Sequence, residues 1–207
     1  MKIERPEIPS SLSQESALPE GESIEACCLT GLDLRGRDFY SGEFRGCILR
    51  KCCLAECDLR RAAFMDVVLD HCDLSGAKME DAVFCRCRLT DCRLTGAEGI
   101  HMLLRQVTLT DCRADWINLS ESKLDHVRWE RCALQEAAFT QVQLRQAELS
   151  ACDLTRATFH LTPMKGMDMR DDCLDGLTIG LNDLRGMVVT SAQAAALAVL
   201  LGLVIKD

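Results

Sequence analysis

Residues 50–64 read R-K-C-C-L-A-E-C-D-L-R-R-A-A-F, with three cysteines, Cys52, Cys53 and Cys57, in six positions. The chain of 207 residues holds 14 cysteines in all. Such a cluster suits a metal site, a disulfide framework, or a core that uses cysteine as a small apolar residue. The spacing around it decides. Leu54, Leu59 and Phe64 are five apart, and the same step runs from Ile24 to Val189 without an insertion. Of those 34 positions only Gly99 is not hydrophobic, in a chain that is 48% hydrophobic. A period of five matches neither the 3.6 of a helix nor the 2 of a simple strand. It is the mark of a repeat architecture.

We call these positions i. A second set of small residues lies at i−2, and ten of the 14 cysteines belong to it; Cys28, Cys53, Cys85 and Cys173 do not. Free cysteine is among the residues most often buried. Cys52 and Cys57 therefore read as interior residues of successive repeats, and Cys53 as an outward neighbour.

Units such as C-D-L-R-R (57–61), C-D-L-S-G (72–76) and C-D-L-T-R (152–156) resemble the pentapeptide-repeat family over about residues 24–189. The resemblance implies an all-β fold, a right-handed quadrilateral parallel β-helix in which four pentapeptides make one 20-residue coil. Residues i and i−2 then point inward, and i−1, i+1 and i+2 point out. About eight coils at roughly 4.8 Å each make a rod about 40 Å long. Positions 20 apart stack, so Cys52, Cys72, Cys92, Cys112, Cys132 and Cys152 form one file. The coil spacing exceeds the Cβ separation of a disulfide, and a straight file does not converge as tetrahedral zinc requires. The file reads as a reduced, structural cysteine ladder, with no metal and no cofactor. Two i positions are small, Gly99 and Ala114. Ile100, Met102, Leu103, Trp116 and Ile117 lie nearby to replace the lost volume, with a local bulge at 97–104 or a harmless irregularity as the alternatives.

The ends differ from the rod. Residues 1–20, with Pro6, Pro9 and Pro19, read as an irregular N-terminal arm or cap, and 21–189 as the β-helix. Residues 190–207 change period. Thr190 with Gln193 has the capping-box pattern, Ala192–Leu201 favours a helix, Gly202 suits its stop, and 203–205 read as a short strand. So apolar a helix needs more cover than one coil supplies. The tail and the segment D-C-R-A-D-W (111–116) resemble the Qnr-like, loop-free branch, which implies a tail-to-tail homodimer through Leu197, Leu200, Leu201, Leu203, Val204 and Ile205. A monomer with a simple cap is the alternative.

The chain shows no P-loop, G-x-S-x-G, H-E-x-x-H or Rossmann fingerprint. Its four histidines, His71, His101, His126 and His160, fall at outward positions, and Cys87 of Cys85-Arg86-Cys87 points in while Cys85 points out. A side-chain-filled rod offers no substrate pocket, so an enzyme is not expected. The N-terminus lacks the apolar stretch of a secretory signal, no run approaches 18 apolar residues, and the expected location is the cytoplasm. The net charge of −8 argues against direct nucleic-acid binding.

That charge is uneven. Outward positions on the face of Leu34 hold 7 acids and 4 bases, and those on the face of Phe39 hold 6 acids and 3 bases. The faces of Leu29 and Ile24 sum to −1 and +2. The Ile24 face also carries outward Met65, Val83, Cys85 and Leu103. Two functions fit. One is DNA mimicry, in which the acidic faces enter a basic DNA-binding saddle; the Qnr-like resemblance names DNA gyrase or topoisomerase IV as partner and protection from quinolones or other gyrase poisons as outcome. Asp33, Asp38, Glu56, Asp58, Asp73, Glu80, Asp81, Asp115 and Glu121 are the contact candidates. The other is a non-enzymatic interaction scaffold with an unrelated partner along the apolar strip of the Ile24 face.

Overall fold

The computed structural model describes residues 1–15 and 23–204. The chain winds into a parallel β-solenoid of about eight coils closed by one short helix. Every strand pair is parallel, and from Ser23↔Glu43 onward partners lie 20 residues apart, as in Phe44↔Phe64 and Phe64↔Phe84. The five-residue register of the sequence is thus the register of the fold.

The four faces are not equivalent. The Ile24 and Leu29 faces carry the ladder, as three- and four-residue strands in the first coils. Between Val83 and Ser150 these fuse into four eight-residue strands, Val83–Thr90, Leu103–Thr110, Lys123–Glu130 and Gln143–Ser150. The Leu34 and Phe39 faces are built from tight turns joined by single bridges, such as Asp38↔Asp58 and Asp73↔Arg93. In those turns the N–H three residues on donates back to the i carbonyl, as Arg37 does to Leu34 (3.1 Å) and Ala62 to Leu59 (3.0 Å).

Four corners per coil demand a sharp change of direction, and one backbone state supplies it. Each i+2 residue from Ala26 to Gly166 has positive φ, between 48° and 61° where it is not glycine. That conformation costs an L-residue roughly 1–2 kcal/mol. Most corners are repaid by a bond to the next coil, as Glu56 N–H to Ser75 O and Arg61 N–H to Glu80 O, both 2.9 Å.

Residues at i and i−2 fill the interior. Equal residues stack at the coil rise: Phe44 on Phe64 at 4.5 Å between ring centres, Phe64 on Phe84 at 4.4 Å, and Phe139 on Phe159 at 4.5 Å. There is no bulge at Gly99. Its N–H bonds Asn118 O at 2.7 Å, and Leu103 still pairs with Val83. The space is taken by Met102, whose Sδ would lie 2.5 Å from a Cβ at position 99. Ile117 likewise turns inward beside Ala114. Ile100, Leu103 and Trp116 do not compensate; they stand outward, as their register requires. An apolar void of about 20 Å³ remains between Met102, Ile117, Leu119 and their neighbours.

This exchange of volume is testable. Gly99→Leu alone overpacks the coil and should cost about 1–3 kcal/mol. Met102→Ala alone leaves a cavity and should cost about 2–5 kcal/mol. Together they restore the ordinary large-i, small-i−2 pattern, and the double variant should melt near the parent. Additive losses in the thermal melts would contradict the exchange.

Residues 1–12 of the N-terminal arm have no regular structure, and the strand that follows sits on the edge of the first coil. Ser13–Glu15 forms a strand parallel to Cys27–Thr30, with Ser13 opposite Cys27. From there the chain runs outside the corner between the two ladder faces. Pro9 crosses at Gly46. Glu7 N–H donates to Asp66 Oδ1 (2.9 Å) and Glu4 N–H to Gln106 Oε1 (2.8 Å). The Met1 carbonyl accepts from Arg128 (3.3 Å), and Met1 N lies 3.1 Å from Glu148. An extended chain rises about 3.3 Å per residue against about 4.8 Å per coil, so about 1.5 residues span one coil. Eight residues from Pro9 to Met1 against the five coils from Gly46 to Glu148 fit that ratio.

At the other end Thr190 and Gln193 form the capping box, and the helix Ser191–Ala198 follows. A 3-10 turn, Val199–Leu201, ends at Gly202 with φ 73°. Leu203 and Val204 are not a strand: no strand edge among the described residues pairs with them, and Ile205 lies outside those residues.

Candidate protein-interaction faces

Side chains at i−1 on the turn faces serve the backbone first. Asp33 Oδ1 accepts from Arg35 N–H (3.1 Å), Asp38 from Tyr40 N–H (2.9 Å), Asp58 from Arg60 N–H (3.1 Å) and Asp73 from Ser75 N–H (2.9 Å). The carboxylate closes a small ring over an N–H that would otherwise face water, the usual Asx turn. Asn118 does the same for Ser120 (3.0 Å). The acceptor is what the fold needs; the charge is surplus to it and available to a partner.

That charge is partly spent within the rod. Asp58 meets Arg60 in a two-point contact that holds its carboxyl below the usual range. Asp81 lies 3.8 Å from both Arg61 and His101, and Glu121 is 3.1 Å from His101. Asp115 accepts from Gln135 N–H at 3.1 Å. Asp33, Asp38, Glu56, Asp73, Glu80 and Asp115 make no ion pair among the described residues. The stacking distributes all nine candidates over the two adjacent turn faces rather than into one patch.

On the edge shared by those faces stands Trp116, 58% exposed, at a corner with φ 58°. Its register marks it as outward, but the sequence reading assigned it to volume compensation. Stacking also surrounds exposed histidines with acids in a way that a linear reading misses. His71 Nδ1 is 2.7 Å from Asp70 and its Nε2 3.8 Å from Asp91.

The interior offers binding groups little room, since its side chains close it down to the small void beside Met102. The cysteine file lies there. All 14 cysteines are free thiols, and Cys52, Cys72, Cys92, Cys112, Cys132 and Cys152 are buried in one column. Each sulfur donates to the carbonyl 23 residues back, as Cys72 to Leu49 (3.4 Å) and Cys132 to Leu109 (3.5 Å). Ser122 uses its hydroxyl identically, donating to Gly99 O (2.9 Å) and accepting from Met102 N–H (2.9 Å). In this column, and at Ser122, i−2 holds a short side chain that can donate, which cysteine offers beyond its size; alanine and valine fill other i−2 positions without a donor. The Cys132 sulfur and then burial push the Cys152 thiol up, and burial pushes Cys87 up to about 12. The file ends at Asp172, whose Oδ1 accepts from Cys152 N–H at 2.7 Å and whose carboxyl is raised by burial.

The C-terminal end is the most apolar exposed surface. Gln193 Nε2 ties the helix to the last coil through Met169 O (2.7 Å) and Asp172 O (2.9 Å). Leu197 is half-buried against the core, while Val199, Leu200, Leu203 and Val204 are exposed. The Leu201 side chain and Ile205 lie outside the described residues. Among the described residues no helix is long and apolar enough to cross a membrane.

Two family descriptions match this chain. Residues 82–159 match the pentapeptide repeat region, and residues 27–64 and 62–98 match pentapeptide repeats (8 copies). No curated protein matches it. Among solved structures it is similar to QnrB1, a plasmid-mediated fluoroquinolone resistance protein, at 20% identity over 87% of this chain and 100% of that one, TM-score 0.43. It is similar to HetL, involved in heterocyst differentiation regulation in the cyanobacterium Nostoc sp. strain PCC 7120, at 19% identity over 82% and 90%, TM-score 0.34. A pentapeptide repeat protein of the Arabidopsis thaliana thylakoid lumen shares 21% identity over 67% and 73%, TM-score 0.36. With the five-residue register, the stacked coils and matches that together run from residue 27 to 159, the chain belongs to the pentapeptide-repeat family.

Proposed function

We propose that the rod is a DNA mimic that binds a type II topoisomerase, DNA gyrase or topoisomerase IV, and protects it from quinolones or other gyrase poisons. The observation that carries this reading is the division of the surface. The arm occupies the corner between the ladder faces, and the two acidic turn faces on the opposite side stay open. The apolar tail supports a homodimer, which doubles the length of acidic rod offered to a saddle.

Magnitudes limit the mimicry. The two faces together carry 13 acids and 7 bases. Duplex DNA carries one charge per roughly 1.7 Å, or about 24 over a 40 Å rod. A net −6 is about a quarter of that, so shape must contribute beside charge, and binding should fall with salt less steeply than for DNA itself.

The test is a supercoiling assay with and without a quinolone, using Asp33, Asp38, Asp58 and Asp73 changed to Asn. Asparagine keeps the acceptor, as Asn118 already shows, so the fold should survive. Gyrase binding should weaken about tenfold or more, with a flatter salt dependence. Equal binding by this variant, or no effect of the parent on gyrase, would leave the scaffold reading. A scaffold partner lying along the Ile24 face would have to displace the arm or use the part around Val83 and Leu103, which the arm leaves open.

A further inference from the structure

We infer that the N-terminal arm is a removable strap that closes a second face of the rod, independently of any topoisomerase role. Outward residues along its path are shut off from water: Cys28 is 5%, Val68 7% and Cys85 9% exposed. Outward Cys53, away from the arm, is half-exposed. The arm turns its apolar side chains Ile3, Pro6, Ile8 and Leu12 half-way into the surface.

The corner is shaped to receive it. Gly46 is where Pro9 crosses, and a Cβ there would meet Pro9 Cδ at 2.9 Å. The next corner, Asp66, is held by Arg86 through two contacts of 2.7 and 2.6 Å, which aims Oδ1 at Glu7 N–H. Burial alone would raise that carboxyl; the Arg86 and Glu7 donors outweigh it and hold it below the usual range. Two coils on, Gln106 supplies the next acceptor.

The same features leave the strap weakly held. Upstream of Ser13 it joins no ladder, its pins at Asp66 and Gln106 are single hydrogen bonds, only Met1 among the described residues adds an ion pair, and no described side chain of its first 14 residues is buried. Segments with few buried contacts open first. Its departure uncovers Met65, Val68 and the thiols of Cys28 and Cys85 as one strip while the coils stay wound.

Thiol labelling of the full chain with a small maleimide tests this by count. In the parent, Cys53 and Cys173 should label first, then Cys28 and Cys85, with the ten i−2 thiols silent until unfolding. Gly46→Gln blocks the Pro9 crossing with a residue that the equivalent corners Gln106 and Gln146 already hold. It should bring Cys28 and Cys85 into the fast phase, about tenfold faster or more. Asp66→Ala with Gln106→Ala should do the same by removing the pins. Hydrogen exchange on the unaltered chain should show the Glu4 and Glu7 amides opening before those of the rod. Unchanged labelling in both variants, labelling of Cys85 only together with the inward thiols, or arm amides as protected as the rod would overturn the strap.

Discussion

Leu74→Asp is expected to leave no folded rod at neutral pH. Leu74 is fully buried between Leu54 and Leu94 in one stack of the Leu34 face. The change removes about 1.5–3 kcal/mol of burial. It also places a carboxylate where every neighbour is apolar, at a cost of several kcal/mol more. A domain of this size commonly holds only about 5–15 kcal/mol in total. The rod does contain two buried acids, Asp172 and Asp183, both in the last coils, and Asp172 shows what tolerance requires: an N–H donor at 2.7 Å and a raised carboxyl. Position 74 has none of these. The folded form of the variant favours the protonated acid, so any residual stability is present at low pH and lost as pH rises. Circular dichroism against temperature at pH 4 and pH 7 is the check. A parent-like melt at pH 7 would refute the register from which the whole interior is read.

Removal of residues 190–207 should convert a dimer of twice 23.0 kDa into monomer with some aggregate. The helix has no fully buried residue, and Val199 and Val204 are 66% and 82% exposed. One chain therefore does not satisfy its own tail. A two-fold interface is self-complementary, so one such patch closes the assembly. The truncation also takes away Gln193, which leaves the Asp172 carbonyl bare and Met169 O with only the Asp172 N–H, and it opens Leu174 and Leu177 of the last coil to solvent. An uncovered edge of this kind invites stacking between rods. Light scattering of the intact chain decides: a mass near 23 kDa would refute the tail-to-tail dimer. Protection of gyrase should fall in the truncated chain although both acidic faces are intact.

The rod was legible from residue 24 onward because its rule is an integer. A step of five places Leu54, Leu74 and Leu94 in one stack with no geometry assumed, and the same step marks Asp33, Asp38, Asp58 and Asp73 as outward. The helix could be read from Thr190, Gln193 and Gly202, since caps are local chemistry. What escaped is whatever depends on neighbours 20 or more residues away. The arm has no period, and it is placed by backbone N–H groups meeting Asp66 and Gln106. Cys28 and Cys85 read as outward, correctly, yet they are only 5% and 9% exposed. Asp81 reads as free charge, and Arg61 of the preceding coil lies 3.8 Å from it. Leu203 and Val204 read as a strand, yet no strand edge among the described residues pairs with them.

The strap also bears on how such a rod can lengthen. Duplicating one 20-residue coil adds roughly 4.8 Å and leaves every other stack as it was, so the coil is a natural unit of growth. The strap breaks that freedom. Its pins at Gly46, Asp66, Gln106 and Glu148 are spaced to match a single extended chain, and a coil inserted between any two of them strands the remainder of the arm about 1.5 residues short. Duplication beyond Glu148 meets no such penalty. The N-terminal three quarters of the rod, roughly, is therefore a fixed gauge, and length variants of this protein should differ in the coils after residue 148.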